Sequence, residues 1–335
     1  MTNAASKVPQ PRDNPLQFKI EKILVPLDFS PASVGALDYA VWLAKQFRAA
    51  IHLLHVYPPD EASAPGAGHL LFQSAEAIER LNEELTGIHR KHVPTFRPRN
   101  CHIRGGRPYE QIVRLAREID ADLIALSTRG HSGLKHLLLG STAERVVANA
   151  PCPVLVARKR KQRGKASPET FAIRTILVPT DFSQCSLAGT EYAAFLARTL
   201  GATLRLFHVI YPYSNYAFVD HVGVRLPGLA EAAEETARQE MDALKQMDFL
   251  RDLSVQTEIL PGPAVDEMCA AAGEPDVDLI VTSTHGRTGL KHALIGSVAE
   301  HVVRYAERPV LVVPRRSQRN AWPHRFTSCV DWQCR

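Results

Sequence analysis

The chain has 335 residues, 45% of them hydrophobic and 22% charged, an ordinary globular balance that excludes collagen-like, disordered and disulfide-scaffold proteins. At about 150 residues per domain, that length implies two domains. Lys+Arg 40 against Asp+Glu 35 leaves a net charge of +5, too small a surplus to point to nucleic acid as a partner. Cys101, Cys152, Cys185, Cys269, Cys329 and Cys334 form no C-x-x-C pair, so zinc-like spacing is missing and reduced thiols in a cytoplasmic protein are expected. The N-terminal stretch MTNAASKVPQPRDNPLQFK lacks the apolar region of a signal peptide. No later apolar run nears the ~18 residues that span a bilayer, and no membrane partner is expected.

From Lys22 onward, short apolar runs alternate with helical patterns, the signature of βαβ units around a parallel sheet. Lys22 to Leu27 reads as a strand. Ser30 and Pro31 supply an N-cap and a first-turn proline, and Val34, Leu37, Val41 and Ala44 predict the helix that follows. Strands are expected at Ile51 to Tyr57, Cys101 to Arg104, Asp122 to Ser127 and Pro153 to Ala157. Helices are expected at Ser74 to His92, Pro108 to Glu118 and Ser141 to Ala148. A second series runs from Thr175 to Pro314, with Ser183 capping its first helix and Gly201 ending it. Asp278 to Ser283 is its fourth strand, Ser297 opens its last helix, and Pro309 to Val313 is its fifth strand. The fold class is α/β, two tandem doubly wound parallel five-stranded sheets flanked by helices.

The second series is a copy of the first. ILVPLDFS (Ile23 to Ser30) returns as ILVPTDFS (Ile176 to Ser183), and Leu53-Leu54-His55-Val56 returns as Leu206-Phe207-His208-Val209. Ser127 to Val156 matches Ser283 to Val312 at nineteen of thirty positions. The expected divisions are therefore an N-terminal extension (1–19), a first domain (20–157), a basic linker (158–172), a second domain (173–314) and a C-terminal appendage (315–335). The linker carries six basic residues between Arg158 and Lys165 without interleaved aromatics, which reads as a solvated connector rather than a nucleic-acid site.

In doubly wound sheets ligands bind beyond the carboxyl ends of strands, where the strand order reverses. The repeated motifs fall at such ends: Pro26 and Asp28 with Pro179 and Asp181 after the first strands, and the loops from Ser127 and Ser283 after the fourth. Those loops carry Gly130, Gly133, Gly140 and Ser141, matched by Gly286, Gly289, Gly296 and Ser297. Glycines let backbone amides approach an anion, and the serines stand at helix N-termini, which is phosphate-cradling chemistry. The alternative is that the glycines serve tight turns and the serines only cap. Asp28 and Asp181 are acceptors for ribose hydroxyls or an adenine amine, or else caps of the next helix. Val56 and Val209 offer an apolar wall for a base, or else core packing. Leu27 against Thr180, and Thr142 against Val298, change polarity between the copies. Neither G-x-x-x-x-G-K-[ST] nor G-x-G-x-x-G occurs, which disfavours a kinase or a dehydrogenase. The pairs His89/His92 and His52/His55 lack a third ligand, so no metal site is assigned, and no catalytic residues are assigned.

ILV-P-x-D-F-S followed by S-T-x-G-x-x-G-L-K-H-x-L-x-G-S-x-A-E and P-V-L-V, twice in order, resembles the universal stress protein family, in a tandem form spanning about Lys22 to Pro314. The resemblance implies strand order 3-2-1-4-5 and, through the pattern G-x2-G-x9-G-[ST], binding of ATP or a related adenine nucleotide, with Mg²⁺ as an optional companion. It implies phosphate-facing roles for Gly130, Gly140, Ser141, Gly286, Gly296 and Ser297, and adenosine-facing roles for Asp28, Val56, Asp181 and Val209. The pattern's first glycine is Ser127 in one copy and Ser283 in the other, and a serine Cβ narrows the approach there. The resemblance further implies pairing of the fifth strands, here an intramolecular pseudo-dimer, with homodimerisation left open. The expected role is a nucleotide-dependent regulator in the stress response with at most slow ATP hydrolysis. The alternative is a nucleotide-free scaffold that binds partners.

Overall fold

A computed structural model describes residues 18–57, 75–93, 95, 97–127, 140–158, 172–210, 228–284 and 296–314. The first half runs β1 (Lys22–Pro26), α1 (Pro31–Phe47), β2 (Ala50–Tyr57), α2 (Ala75–His92), β3 (Cys101–Gly105), α3 (Pro108–Glu118), β4 (Leu123–Ser127), α4 (Ser141–Asn149) and β5 (Val154–Ala157). The second runs β6 (Thr175–Pro179), α5 (Gln184–Leu200), β7 (Thr203–Ile210), α6 (Leu229–Lys245), β8 (Val255–Pro261), α7 (Ala264–Gly273), β9 (Leu279–Ser283), α8 (Ser297–Tyr305) and β10 (Val310–Val313).

The strands form one ten-stranded sheet in the order β3-β2-β1-β4-β5-β10-β9-β6-β7-β8. Each half is parallel, and the halves join where β5 and β10 pair antiparallel, with Val154, Leu155 and Val156 opposite Val312, Leu311 and Val310. These strands are wholly apolar and buried, as strands covered on both faces must be. Their pairing removes two adhesive edges from the molecule. On one face α1, α2, α5 and α6 cover a core that includes Leu37, Leu85, Tyr192 and Met241. On the other, α3, α4, α7 and α8 cover Ile112, Val146, Met268 and Val302. Phe18 and Phe47 of the first half pack on Phe195 of the second at 5.5 and 5.4 Å between ring centroids.

Serine side chains start α1 and α5: Ser33 N donates to Ser30 Oγ and Ser186 N to Ser183 Oγ, each at 3.2 Å. The buried stripe of α1 is Ser33, Ala36, Leu37, Ala40, Leu43 and Ala44, whereas Val34 and Val41, expected on that stripe, are half-buried. The small residues let the helix lie close to β4, and the valines are displaced to its flanks.

At the amino edge of the sheet, Asp122 binds β1 to β4. Its Oδ2 accepts from Glu21 N at 2.8 Å and Lys22 N at 2.9 Å. Asp278 repeats this on Arg174 N and Thr175 N at 2.8 and 3.1 Å.

The halves differ at the β2–β3 edge. In the second, Arg205 of β7 is clamped by Glu258 of β8 and Glu274 beyond α7, with Nε to Glu258 Oε2 at 2.9 Å and Nη2 to Glu274 Oε1 at 3.0 Å. In the first, the corresponding residues are His52, His102 and Glu118. His52 Nδ1 lies 3.3 Å from His102 Nε2, and Glu118 pairs instead with Arg104 and Arg114. Burial, reinforced by His102, Lys22, His89 and Arg99, moves His52 from its ordinary 6.5 down to about 4. Burial also lowers His102, with Arg104 adding and Glu118 opposing.

Two outcomes follow from these differences. His52 is neutral in the fold while the unfolded chain takes up a proton below about 6.5, so its contribution is complete above that pH and is lost as pH falls through about 4. The thermal midpoint therefore drops on acidification across that window, and the double variant His52→Arg/His102→Glu, which transplants the Arg205–Glu258 pair, shows a shallower fall. Arg48 closes α1 in the left-handed region at φ 56 where Gly201 closes α5 at φ 66. Arg48 is exposed, so Arg48→Gly stabilises the protein by up to about 1 kcal/mol in denaturant unfolding.

Candidate functional site

Within each half the chain lays down β2 and β3 to one side of β1, then returns to place β4 and β5 on the other. The reversal falls between β1 and β4, and between β6 and β9, with Leu24 level with Ile124 and Leu177 level with Ile280. Carried three residues further, the registers bring Leu27 alongside Ser127 and Thr180 alongside Ser283. Asp28 and Asp181 thus stand at the carboxyl edge beside the ends of β4 and β9.

Both aspartates sit in the same turn. Oδ1 of Asp28 accepts from Ser30 N at 3.0 Å and from Ser30 Oγ at 2.6 Å, and Oδ1 of Asp181 accepts from Ser183 N at 3.0 Å. The helix-capping role expected as an alternative is therefore present. The intervening Phe29 and Phe182 take left-handed backbones at φ 63 and 60. Thr180, expected to change the polarity of the second crevice, is buried, and its hydroxyl accepts from Phe182 N at 3.1 Å and meets Ser186 Oγ at 3.3 Å.

Opposite these turns, α4 and α8 begin at Gly140 and Gly296, with Ser141 and Ser297 exposed in their first turns and Thr142 and Val298 half-buried. The glycine φ values are −73 and −66, which any residue adopts, so backbone freedom does not explain them. As N-caps they lack the side chain by which Ser30 and Ser183 cap their helices. Neither N-cap position therefore supplies a side-chain bond to the first-turn amides. Gly296 N donates to Thr284 O at 2.7 Å, which draws the start of α8 to the end of β9. Gly130, Gly133, Gly286 and Gly289 lie outside the described residues.

Val56 and Val209 are half-buried against the core under α3, α4, α7 and α8. Pro26 and Pro179 end β1 and β6 level with Leu54 and Phe207. Ser127 ends β4 half-buried, while Ser283 ends β9 buried beneath α5. A Cβ on Gly189 of α5 would lie 3.8 Å from that of Ser283, so the serine that replaces the expected glycine packs toward α5.

The sequence reading missed His55 and His208. It grouped His55 with His52, yet strand alternation sends them to opposite faces. His55 Nδ1 lies 2.8 Å from Leu27 O and His208 Nδ1 2.8 Å from Thr180 O, both at the aspartate turns. The signal was their retention in the two LxHV segments. Cys152 is buried, which raises its thiol pKa, the opposite of what a nucleophile requires. Among the described residues no group of three or more His, Cys, Asp or Glu is placed to hold a metal ion, and no helix is long and apolar enough to cross a membrane.

The architecture is thus a tandem pair of doubly wound α/β units, each with an aspartate turn and a glycine-started helix at its switch point. The family model for the universal stress protein family matches residues 19–158 and 172–314, and the chain belongs to that family. A universal stress protein of Methanocaldococcus jannaschii is 36% identical over 146 residues, 42% of this chain and 84% of its own. One from Mycolicibacterium smegmatis is 25% identical over 304 residues, 88% of this chain and 97% of its own. The crystal structure of an Archaeoglobus fulgidus universal stress protein shares the fold across 90% of this chain and 98% of its own, at TM-score 0.60 and 22% identity.

Ser30→Ala removes both the cap of α1 and a hydroxyl donor to Asp28. It costs about 1 kcal/mol, within the range for N-cap loss, read as a shift of the denaturation midpoint at unchanged slope.

Proposed function

We propose that the chain binds ATP, or a related adenine nucleotide, at two sites, one per half, and acts in the stress response as a nucleotide-dependent regulator rather than a dedicated enzyme. The observation that carries this reading is the glycine start of α4 and α8 at ordinary φ, beside an aspartate turn at the switch point, built twice in one chain. First-turn amides that receive no side-chain bond from the N-cap glycine, together with the helix dipole, favour a phosphate. Asp28 and Asp181 accept from ribose hydroxyls, and Val56 and Val209 flank the base. The loop pattern through Gly130 and Gly286, with its resemblance to the family's nucleotide-binding branch, supports the same ligand. Mg²⁺ enters as the companion of the phosphates. A soluble cytoplasmic setting and an intramolecular pairing of the two units accompany this reading.

Thermal unfolding with ATP and Mg²⁺ tests it. Ligand at 100 times Kd adds about 2.7 kcal/mol per site, and Asp28→Ala with Asp181→Ala reduces the shift. No shift at millimolar nucleotide contradicts the proposal. The second reading, a nucleotide-free scaffold, is favoured by Ser127 and Ser283 in place of glycine. Bulky replacements at Gly130 and Gly286 separate the two, because they abolish ATP binding under the first and leave partner binding unchanged under the second.

A further inference from the structure

The turn that presents each aspartate is costly to hold. A left-handed backbone at a residue with a Cβ costs roughly 1–2 kcal/mol, and Phe29 and Phe182 both adopt it. Each phenyl ring lies against a histidine, with centroids 4.2 Å apart for Phe29–His55 and 4.4 Å for Phe182–His208. Each histidine also bonds the carbonyl of the residue before the aspartate, at 2.8 Å. A carbonyl only accepts, so Nδ1 carries the proton in both rings. The same peptide segment is held from its other end, where Leu27 N donates to Leu54 O and Thr180 N to Phe207 O, both at 2.8 Å.

The geometry has a directional consequence. In a trans peptide the carbonyl and the following N–H point opposite ways. With the Leu27 carbonyl held by His55 of β2, the Asp28 N–H points away from that histidine. His208 does the same for Asp181. Elsewhere on the same strands the copies have diverged, as His52 against Arg205 shows, while this arrangement is kept to within 0.2 Å in ring separation and 3° in φ.

We propose that His55 and His208 are positioning residues, which hold the Asp28 and Asp181 turns in the orientation that receives nucleotide. The inference rests on the nucleotide reading for its purpose, but not for its geometry. Two substitutions divide the histidine's parts. His55→Phe keeps a ring against Phe29 and removes the donor, while His55→Asn restores a donor near the Nδ1 position and removes the ring.

The experiment measures ATP binding by calorimetry and Ser30 amide hydrogen exchange by NMR in the full chain. In His55→Phe one site weakens roughly tenfold, about 1.4 kcal/mol, the other keeps its affinity, and the Ser30 amide exchanges faster. His55→Asn restores both readouts. Unchanged affinity and unchanged exchange in His55→Phe overturn the proposal, as does equal weakening of both sites, which marks a global effect. If the unsubstituted protein binds no ATP while Ser30 exchange still responds to Phe and recovers with Asn, the nucleotide reading falls and the positioning role stands.

Discussion

The carboxyl edge of each half depends on β1 running beside β4. That adjacency makes the strand order reverse, and the reversal opens the gap over which an aspartate turn and a helix start can face one another. Two backbone amides on one half-buried carboxylate secure it at the opposite end of the strands, through Asp122 and again through Asp278. Burial raises the pKa of Asp122 while the amides of Glu21 and Lys22 lower it, and burial is the larger effect. The contact is a structural latch set at the far end of the sheet from the chemistry.

The antiparallel joint of β5 and β10 turns two such units into one sheet with a pseudo-twofold arrangement. Its consequence is that both switch points belong to one continuous layer of strands, yet the outer edges remain free to diverge. They have done so: β7 and β8 are tied by the half-buried Arg205 with Glu258 and Glu274, while β2 and β3 are tied by a histidine pair. The first half therefore carries the acid-sensitive edge. The aspartate turns, by contrast, keep the left-handed phenylalanine and the histidine bond in both halves, while the second adds the Thr180 hydroxyl and tilts its ring pair to 38° against 17°.

Much of this was legible from the residues alone. Short β-branched runs such as Ile23 to Val25 and Val154 to Val156, alternating with helical patterns, read as strands covered on both faces, and Ser30-Pro31 and Gly201 mark helix ends through local chemistry that needs no tertiary context. The doubled motif located the aspartates and the glycine-started helices. What was not legible depended on which face a strand residue meets. The grouping of His52 with His55 failed because sequence proximity on a strand is not proximity in space, and the swap of His52/His102 for Arg205/Glu258 becomes visible only once β2 and β3 are neighbours. The polarity change at Thr180 was read as a crevice feature, but its hydroxyl is taken up by the turn and by Ser186.

The central claim is that each switch point is a receptor for one adenine nucleotide. Equilibrium titration of the purified chain with ATP and Mg²⁺, reporting moles bound per mole of chain, tests it most directly. The account predicts two, with one lost on removing either aspartate. Saturation at zero, with the fold intact, would contradict it.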